Sequence, residues 1–162
     1  MPHGERMPYK LSLDCEPIVL VEIRGELFDE ELLLMTREVT QAMHGHSAQG
    51  VRAAVIVDLS EAPHITPRQR RLVGEWRAEV RDLTHQIAVG MAMVVTSQTV
   101  RGILTAISWF QKEPVPVCYV KTFAEALRWA IAQCDTEGIE IPPPVRRRLE
   151  RRSERPTQAH SR

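Results

Sequence analysis

Two short apolar runs limit what this chain can fold into. AAVIVDL (53–59) and IAVGMAMVVTS (87–97) are nearly all apolar and rich in β-branched residues. Such runs are too short for buried helices and lack the alternation of a half-exposed strand. They read as central strands covered on both faces. Each is followed by a polar turn and then by a segment with helical periodicity. A strand covered twice needs helices above and below it, and alternating strands and helices give an α/β sheet.

The remaining segments extend this pattern. YKLSLDCE (9–16) alternates Tyr9, Leu11, Leu13 and Cys15 with polar residues, as a half-buried strand does. IVLVEIRGEL (18–27) gives a second strand, and Glu16-Pro17 marks a hairpin turn between them. In FDEELLLMTREVTQAMHGH, Asp29 is the expected N-cap, with Glu30 and Glu31 in the first turn. Phe28 would then staple onto Leu33, with Leu32, Met35, Val39 and Met43 facing the core and Gly45 ending the helix.

A helix is expected over 67–85, with Leu72, Val73, Trp76, Val80 and Leu83 inward, and another over 99–111. VPVCYVKT (115–122) is a strand entered through Pro114 and Pro116, which suits a sheet edge. Thr122 and Glu125 form a capping box before FAEALRWAIAQC (123–134), whose inward residues are Phe123, Leu127, Ala130, Ile131 and Cys134. The order is β-β-α-β-α-β-α-β-α: a mixed, mostly parallel five-stranded sheet with four helices. Residues 1–8 are expected to be disordered and 9–134 to form the domain. DTEGIEIPPP would close it, leaving 135–162 as a Pro-rich linker and Arg-rich tail.

Charge and cysteine usage narrow the setting. The net charge is zero, but residues 145–162 carry +5 and the body therefore −5. Nucleic acid or anionic lipid is a conceivable contact for that tail, yet it has no aromatic residue to stack bases and reads better as solvated. Three cysteines (Cys15, Cys118 and Cys134), with no CxxC, read as small buried hydrophobes in a reducing compartment. No apolar run reaches the roughly 18 residues of a membrane span, and MPHGERMPYK has no signal-like apolar stretch. A cytoplasmic protein is expected. Arginine outnumbers lysine 18 to 3, which suits GC-rich bacterial coding.

Candidate site residues cluster at two strand-to-helix turns. In Thr66-Pro67-Arg68-Gln69, Thr66 is an N-cap, Pro67 sits at the first helical position and Gln69 closes a capping box. The same place suits an anion or a phosphate, because free N–H groups and the helix dipole favour negative charge there. Arg68, Arg70 and Arg71 crowd that positive helix end, an arrangement suited to an acidic partner. Ser97-Gln-Thr99-Val-Arg101 repeats the design. If the two strands are neighbours, Ser60, Thr66, Arg68, Arg70, Arg71, Ser97, Thr99 and Arg101 share one edge.

Other motifs carry less. His44-Gly45-His46 supplies two ligands and reads as a loop, so no metal is expected. Asp58 with Glu61 could be called paired carboxylates, but Asp58 is better explained by bonding to the backbone of its own turn. Nothing resembles a Gly-rich phosphate loop or a nucleophile elbow, and no catalytic residue or cofactor is expected. Trp109, Phe110, Trp129, Met91 and Met93 read as core, or as the lining of an apolar pocket between the 99–111 helix and the sheet.

The element order, the strand with its turn VIVDLSEA and the closing VCYVKTFAEALRWA resemble STAS domains, the fold of bacterial anti-sigma-factor antagonists, and in particular STAS/SEC14-like single-domain proteins. The resemblance spans about residues 9–134. It implies a regulatory, non-enzymatic module acting by protein contact. In those antagonists a serine in an Asp-Ser-Ser-Gly type turn is phosphorylated. Here Thr66-Pro67-Arg68-Gln69 takes that place, so the serine pair and the glycine are absent and Thr66 is the candidate phospho-acceptor. The partner is expected to be a protein meeting residues 60–71 and 97–101, with a homo-oligomer also open. The alternative is a lipid or small-molecule binder of SEC14-like type.

Overall fold

The structure is a computed structural model that describes residues 7–62, 64–110 and 112–155, with only the backbone of 103 and 107–110. The strands are β1 (Tyr9–Ser12), β2 (Ile18–Ile23), β3 (Ala53–Asp58), β4 (Ala88–Val94) and β5 (Val117–Val120). The helices are α1 (Asp29–Gln49), α2 (Pro67–Glu79), α3 (Arg81–Ile87), α4 (Gln98–Phe110), α5 (Phe123–Thr136) and α6 (Pro143–Ser153). The strands lie in chain order, β1 antiparallel to β2 and each later pair parallel. This is the mixed, mostly parallel five-stranded sheet that the sequence implies. The hairpin at Glu16-Pro17 and the edge position of β5 hold as well.

Strand alternation divides the core in two. Ile18 and Leu20 of β2, Ala54 and Ile56 of β3, and Ala92 and Val94 of β4 pack with Ala126, Leu127, Ala130 and Cys134 of α5. Val21 and Val57 point the other way, towards Leu32 and Met35 of α1 and Leu72 and Val73 of α2. Helices α1, α2 and α3 form one layer, braced where the Trp76 indole N–H donates to Thr40 Oγ1 at 2.9 Å. Burying both faces of β3 is what its apolar sequence requires.

Among the described residues six helices replace the expected four. The 67–85 helix breaks at Val80 (φ −92°, ψ 9°), which ends α2 and starts α3. The other addition is α6, where a solvated helix or a disordered tail was expected and a helix packed on the core is found. Its Leu149 is 1% exposed and joins Ile141 and Val145 in the core beneath α5. The prolines do not end the domain at 134, because Pro143 stands in the first turn of α6, where no backbone donor is lost. Arg146 pairs with Asp135, Arg148 with Asp14 and Arg152 with Glu22, so α6 is fastened by charge as well as by Leu149. Residues 156–162 lie outside the described residues, as do 1–6 of the expected N-terminal disorder.

Helix α1 also differs at both ends. Phe28 rather than Asp29 is its N-cap, and the Phe28 N–H donates to Glu31 Oε2 at 2.8 Å. Phe28 and Leu33 are both exposed, so no staple forms between them. The helix runs through Gly45 and ends at Gly50, whose φ of 64° is the left-handed geometry of a helix stop. His44 and His46 are therefore helical, not a loop. His46 is buried, with Nε2 2.6 Å from Glu16 Oε1, and that contact carries the helix past Gly45.

Candidate site at the carboxyl edge of the sheet

Strands β3 and β4 are parallel neighbours, with Asp58 opposite Val94, so the segments after them leave from one edge. The Leu59 N–H donates to the Val94 carbonyl at 3.0 Å, tying the two departures together. The β2–α1 loop leaves from the same edge, because β2 is parallel to β3. In open α/β sheets ligands bind outside the carboxyl ends of the strands. Among the described residues no helix is long and apolar enough to cross a membrane.

Thr66 caps α2 as its spacing implies. Its Oγ1 accepts from Gln69 N at 3.1 Å, and Gln69 Oε1 accepts from Thr66 N at 3.0 Å. Gln69 does more than close the box: its buried Nε2 donates to the Leu27 carbonyl at 2.6 Å, pinning α2 to the β2–α1 loop. Asp58 Oδ1 accepts from the Ser60 N–H at 3.0 Å and from its hydroxyl at 2.6 Å, closing the turn at the end of β3.

The arginines divide into three kinds. Arg68 meets Asp29 of α1 at 3.0 Å, which relieves its position at a positive helix end. Arg101 folds back, donating to the Val95 and Thr96 carbonyls at 2.6 and 2.8 Å, so its guanidinium braces the end of β4. Arg70 and Arg71 are exposed, with no ion pair among the described residues. Ser97 Oγ accepts from Val100 N at 3.3 Å, and Thr99 is exposed.

Between the β2–α1 loop and the start of α2 lies a groove of about 520 Å³, lined among others by Phe28, Ile65, Thr66, Glu26, Asp29 and Glu30. Phe28 is 65% and Ile65 44% exposed. Sequence reasoning missed this pair because Phe28 looked like a staple and Ile65 like part of a polar turn. The available signal was at Ile65, which stands beside a helix start with only Arg68 and Gln69 at helical spacing.

A charged cluster braces the adjacent part of the edge. Glu22 lies opposite Asp58 in the sheet and is 5% exposed. Arg24 and Arg152 both reach its Oε1, and Arg152 also lies 4.7 Å from the centre of the Phe123 ring. Burial pushes the Glu22 carboxyl up, but hydrogen bonds from Arg152 and Arg24 outweigh it and hold the group below the ordinary 4.5. A depressed carboxylate stabilises the fold fully above its unfolded value, and the gain is lost as pH falls through the folded value. Glu22→Gln is therefore expected to flatten the acid limb of stability below about pH 4.5, measured by urea unfolding at a series of pH values.

The cysteines are poor nucleophiles. Burial pushes the Cys118 thiol up to about 11 and raises Cys15 and Cys134, so all three stay protonated at neutral pH. Among the described residues no group of three metal-type ligands comes together. Met91, Met93 and Trp129 are partly buried. The side chains of Trp109 and Phe110, expected to line a pocket beneath α4, lie outside the described residues.

No family model and no curated protein matches the sequence. Among solved structures, the chain is similar to an uncharacterized protein of the DUF3478 family from Shewanella loihica PV-4, described as having a SpoIIAA-like fold. The two are 13% identical, with a TM-score of 0.58, and the match covers 75% of this chain and 91% of that one. The sheet order, the paired helix layers and this likeness give the chain a SpoIIAA-like, STAS-type α/β fold.

Proposed function

We propose that the protein is a non-enzymatic, STAS-type interaction module that captures a partner protein at the carboxyl edge of its sheet. The observation that carries this reading is the exposed pair Phe28 and Ile65 flanking a groove at that edge. Large apolar side chains ringed by charge are the usual anchors of a protein interface. Beside them, Arg70 and Arg71 offer guanidinium groups to acidic residues of the partner. Residues 60–71 form the primary contact and 97–101 its continuation across β4. Within that continuation Ser97 and Thr99 face the partner, and Arg101 supports the strand end.

Three polar residues of this edge are committed to structure: Asp58 to its turn, Gln69 to Leu27, Arg101 to carbonyls. This supports binding over catalysis. Thr66 is exposed at a helix start and remains the candidate phospho-acceptor. Its phosphorylation would exchange a hydroxyl cap for a phosphate near Arg68 and Arg70 and so alter the contact surface.

The test is quantitative affinity capture from the native host with three baits: wild type, Phe28→Ser with Ile65→Ser, and Arg70→Glu with Arg71→Glu. All four side chains are exposed, so each variant is expected to unfold within about 0.5 kcal/mol of wild type. Proteins enriched by wild type should fall at least about tenfold with either variant, the equivalent of 1.4 kcal/mol. Retention of the same proteins by both variants would place the contact elsewhere.

A further inference from the structure

The groove between the β2–α1 loop and α2 is apolar within and unevenly charged at its rim. Ile23, Leu27, Phe28 and Ile65 supply the apolar lining. Among the described residues that line it, the carboxylates Glu26, Asp29 and Glu30 all come from the loop and the first turn of α1, and no lysine or arginine joins them.

Neighbouring groups account for part of that charge. Asp29 meets Arg68 at 3.0 Å. Glu31 Oε2 accepts from the Phe28 N–H, which takes it into the helix cap. Arg24, earlier in the same loop, donates instead to Glu22 at 2.9 Å. Glu26 and Glu30 are left exposed, with no ion pair among the described residues. The positive helix end explains an acid at Glu30. Glu26 lies before the cap Phe28, outside that first turn.

The opposite rim has the opposite sign. Thr66 lines the groove, and its carbonyl accepts from the Arg70 N–H at 2.9 Å. Arg70 therefore stands one helical turn beyond Thr66, about 5.4 Å along α2, with Arg71 next to it. Both are exposed, and neither has an ion pair among the described residues. From α1 to α2 the surface runs from carboxylates, across Phe28 and Ile65, to guanidinium groups.

We propose, on the reading of this edge as a docking surface, that the groove takes a segment of a partner protein with a fixed charge order: lysine or arginine, then a large apolar anchor, then aspartate or glutamate. The anchor sits between Phe28 and Ile65, the basic side meets Glu26 and Glu30, and the acidic side meets Arg70 and Arg71. Exposed ion pairs are individually weak, so the anchor supplies most of the affinity. The charges supply direction, because a segment laid the other way meets like charges at both ends.

Selection from a random peptide library on the full chain, counter-selected against Phe28→Ser with Ile65→Ser, tests this. The enriched peptides should share a large apolar residue with basic residues on one side and acidic residues on the other, in a single order. Fluorescence anisotropy of the best peptide should show binding weakened about tenfold or more by Glu26→Lys with Glu30→Lys, and about threefold or more by Glu26→Lys alone, which leaves the first turn of α1 unchanged. Replacing the basic residues of that peptide with glutamate should restore binding to the double variant to within about threefold of the original pair. Thermal unfolding confirms that each variant is folded. Enriched peptides without a charge order, or indifferent to both reversals, would overturn the proposal while leaving the groove a docking site. A library that yields no peptide lost on Phe28→Ser with Ile65→Ser would overturn the docking site as well. A wild-type chain that sediments as a dimer and selects no peptide would assign the groove to a second copy instead.

Discussion

Replacing Leu149 with alanine is expected to cost about 2–5 kcal/mol, the range for truncating a fully buried leucine. The side chain is 1% exposed and sits with Ile141 and Val145 against the same core that holds Ile18, Leu20 and the buried face of α5. For a domain of this size each kcal/mol lowers the melting temperature by about 2–4 °C. A loss of about 4–20 °C follows, readable by thermal unfolding followed by circular dichroism. Arg147→Ala is the control on the same helix: Arg147 is exposed and has no ion pair among the described residues, so its loss should change stability by less than about 0.5 kcal/mol. If residues after 134 were a solvated extension, the two substitutions would be equally silent.

The second large effect is at Gly90. A Cβ there would stand 2.7 Å from Trp129 Cη2, 3.0 Å from Trp129 Cζ3 and 3.1 Å from Gln133 Cγ. Glycine in this central strand is thus the condition for α5 to lie close on β4. Gly90→Val adds two more methyl groups against the indole and is expected to cost about 1–3 kcal/mol or more through overpacking. Pairing it with Trp129→Leu, which withdraws the ring, should recover part of the loss. Urea unfolding of the two single variants and the double variant measures that coupling, since contacting residues do not behave additively. Additive losses would mean that the indole is not what the valine strikes.

The central strands were legible because their apolar runs have one physical solution, burial on both faces. The capping box at Thr66 was legible too, since Thr, Pro and Gln at those spacings each satisfy a helix-start requirement. The misreadings have a common cause in contacts distant along the chain. Gly45 looks like a helix end until Glu16, thirty residues earlier, holds His46 in place. The three prolines before α6 look like a terminator, yet Ile141, Val145 and Leu149 recur every four residues and form a buried stripe. Five arginines on α6 masked the stripe, and the acidic partners of three of them, Asp14, Glu22 and Asp135, come from three separate parts of the chain.

At the candidate edge, the neighbouring of β3 and β4 follows from short right-handed crossovers between sequential parallel strands. What each arginine does there was not legible. Arg68 and Arg101 both lie in the first turn of a helix at this edge, but one finds a carboxylate on α1 and the other the carbonyls of its own strand end. Only the folded chain distinguishes these guanidinium groups from those of Arg70 and Arg71, which are left facing solvent.

The claim that this edge is a docking surface is tested most directly by a photo-crosslinking residue placed at Ile65 and, in a second protein, at Ala132. Both positions are exposed, and Ala132 lies on α5, away from the carboxyl edge. Irradiation in the native host is expected to join position 65 to a discrete protein adduct and to leave position 132 unjoined. Adducts formed equally from both positions, or from 132 alone, would contradict the assignment.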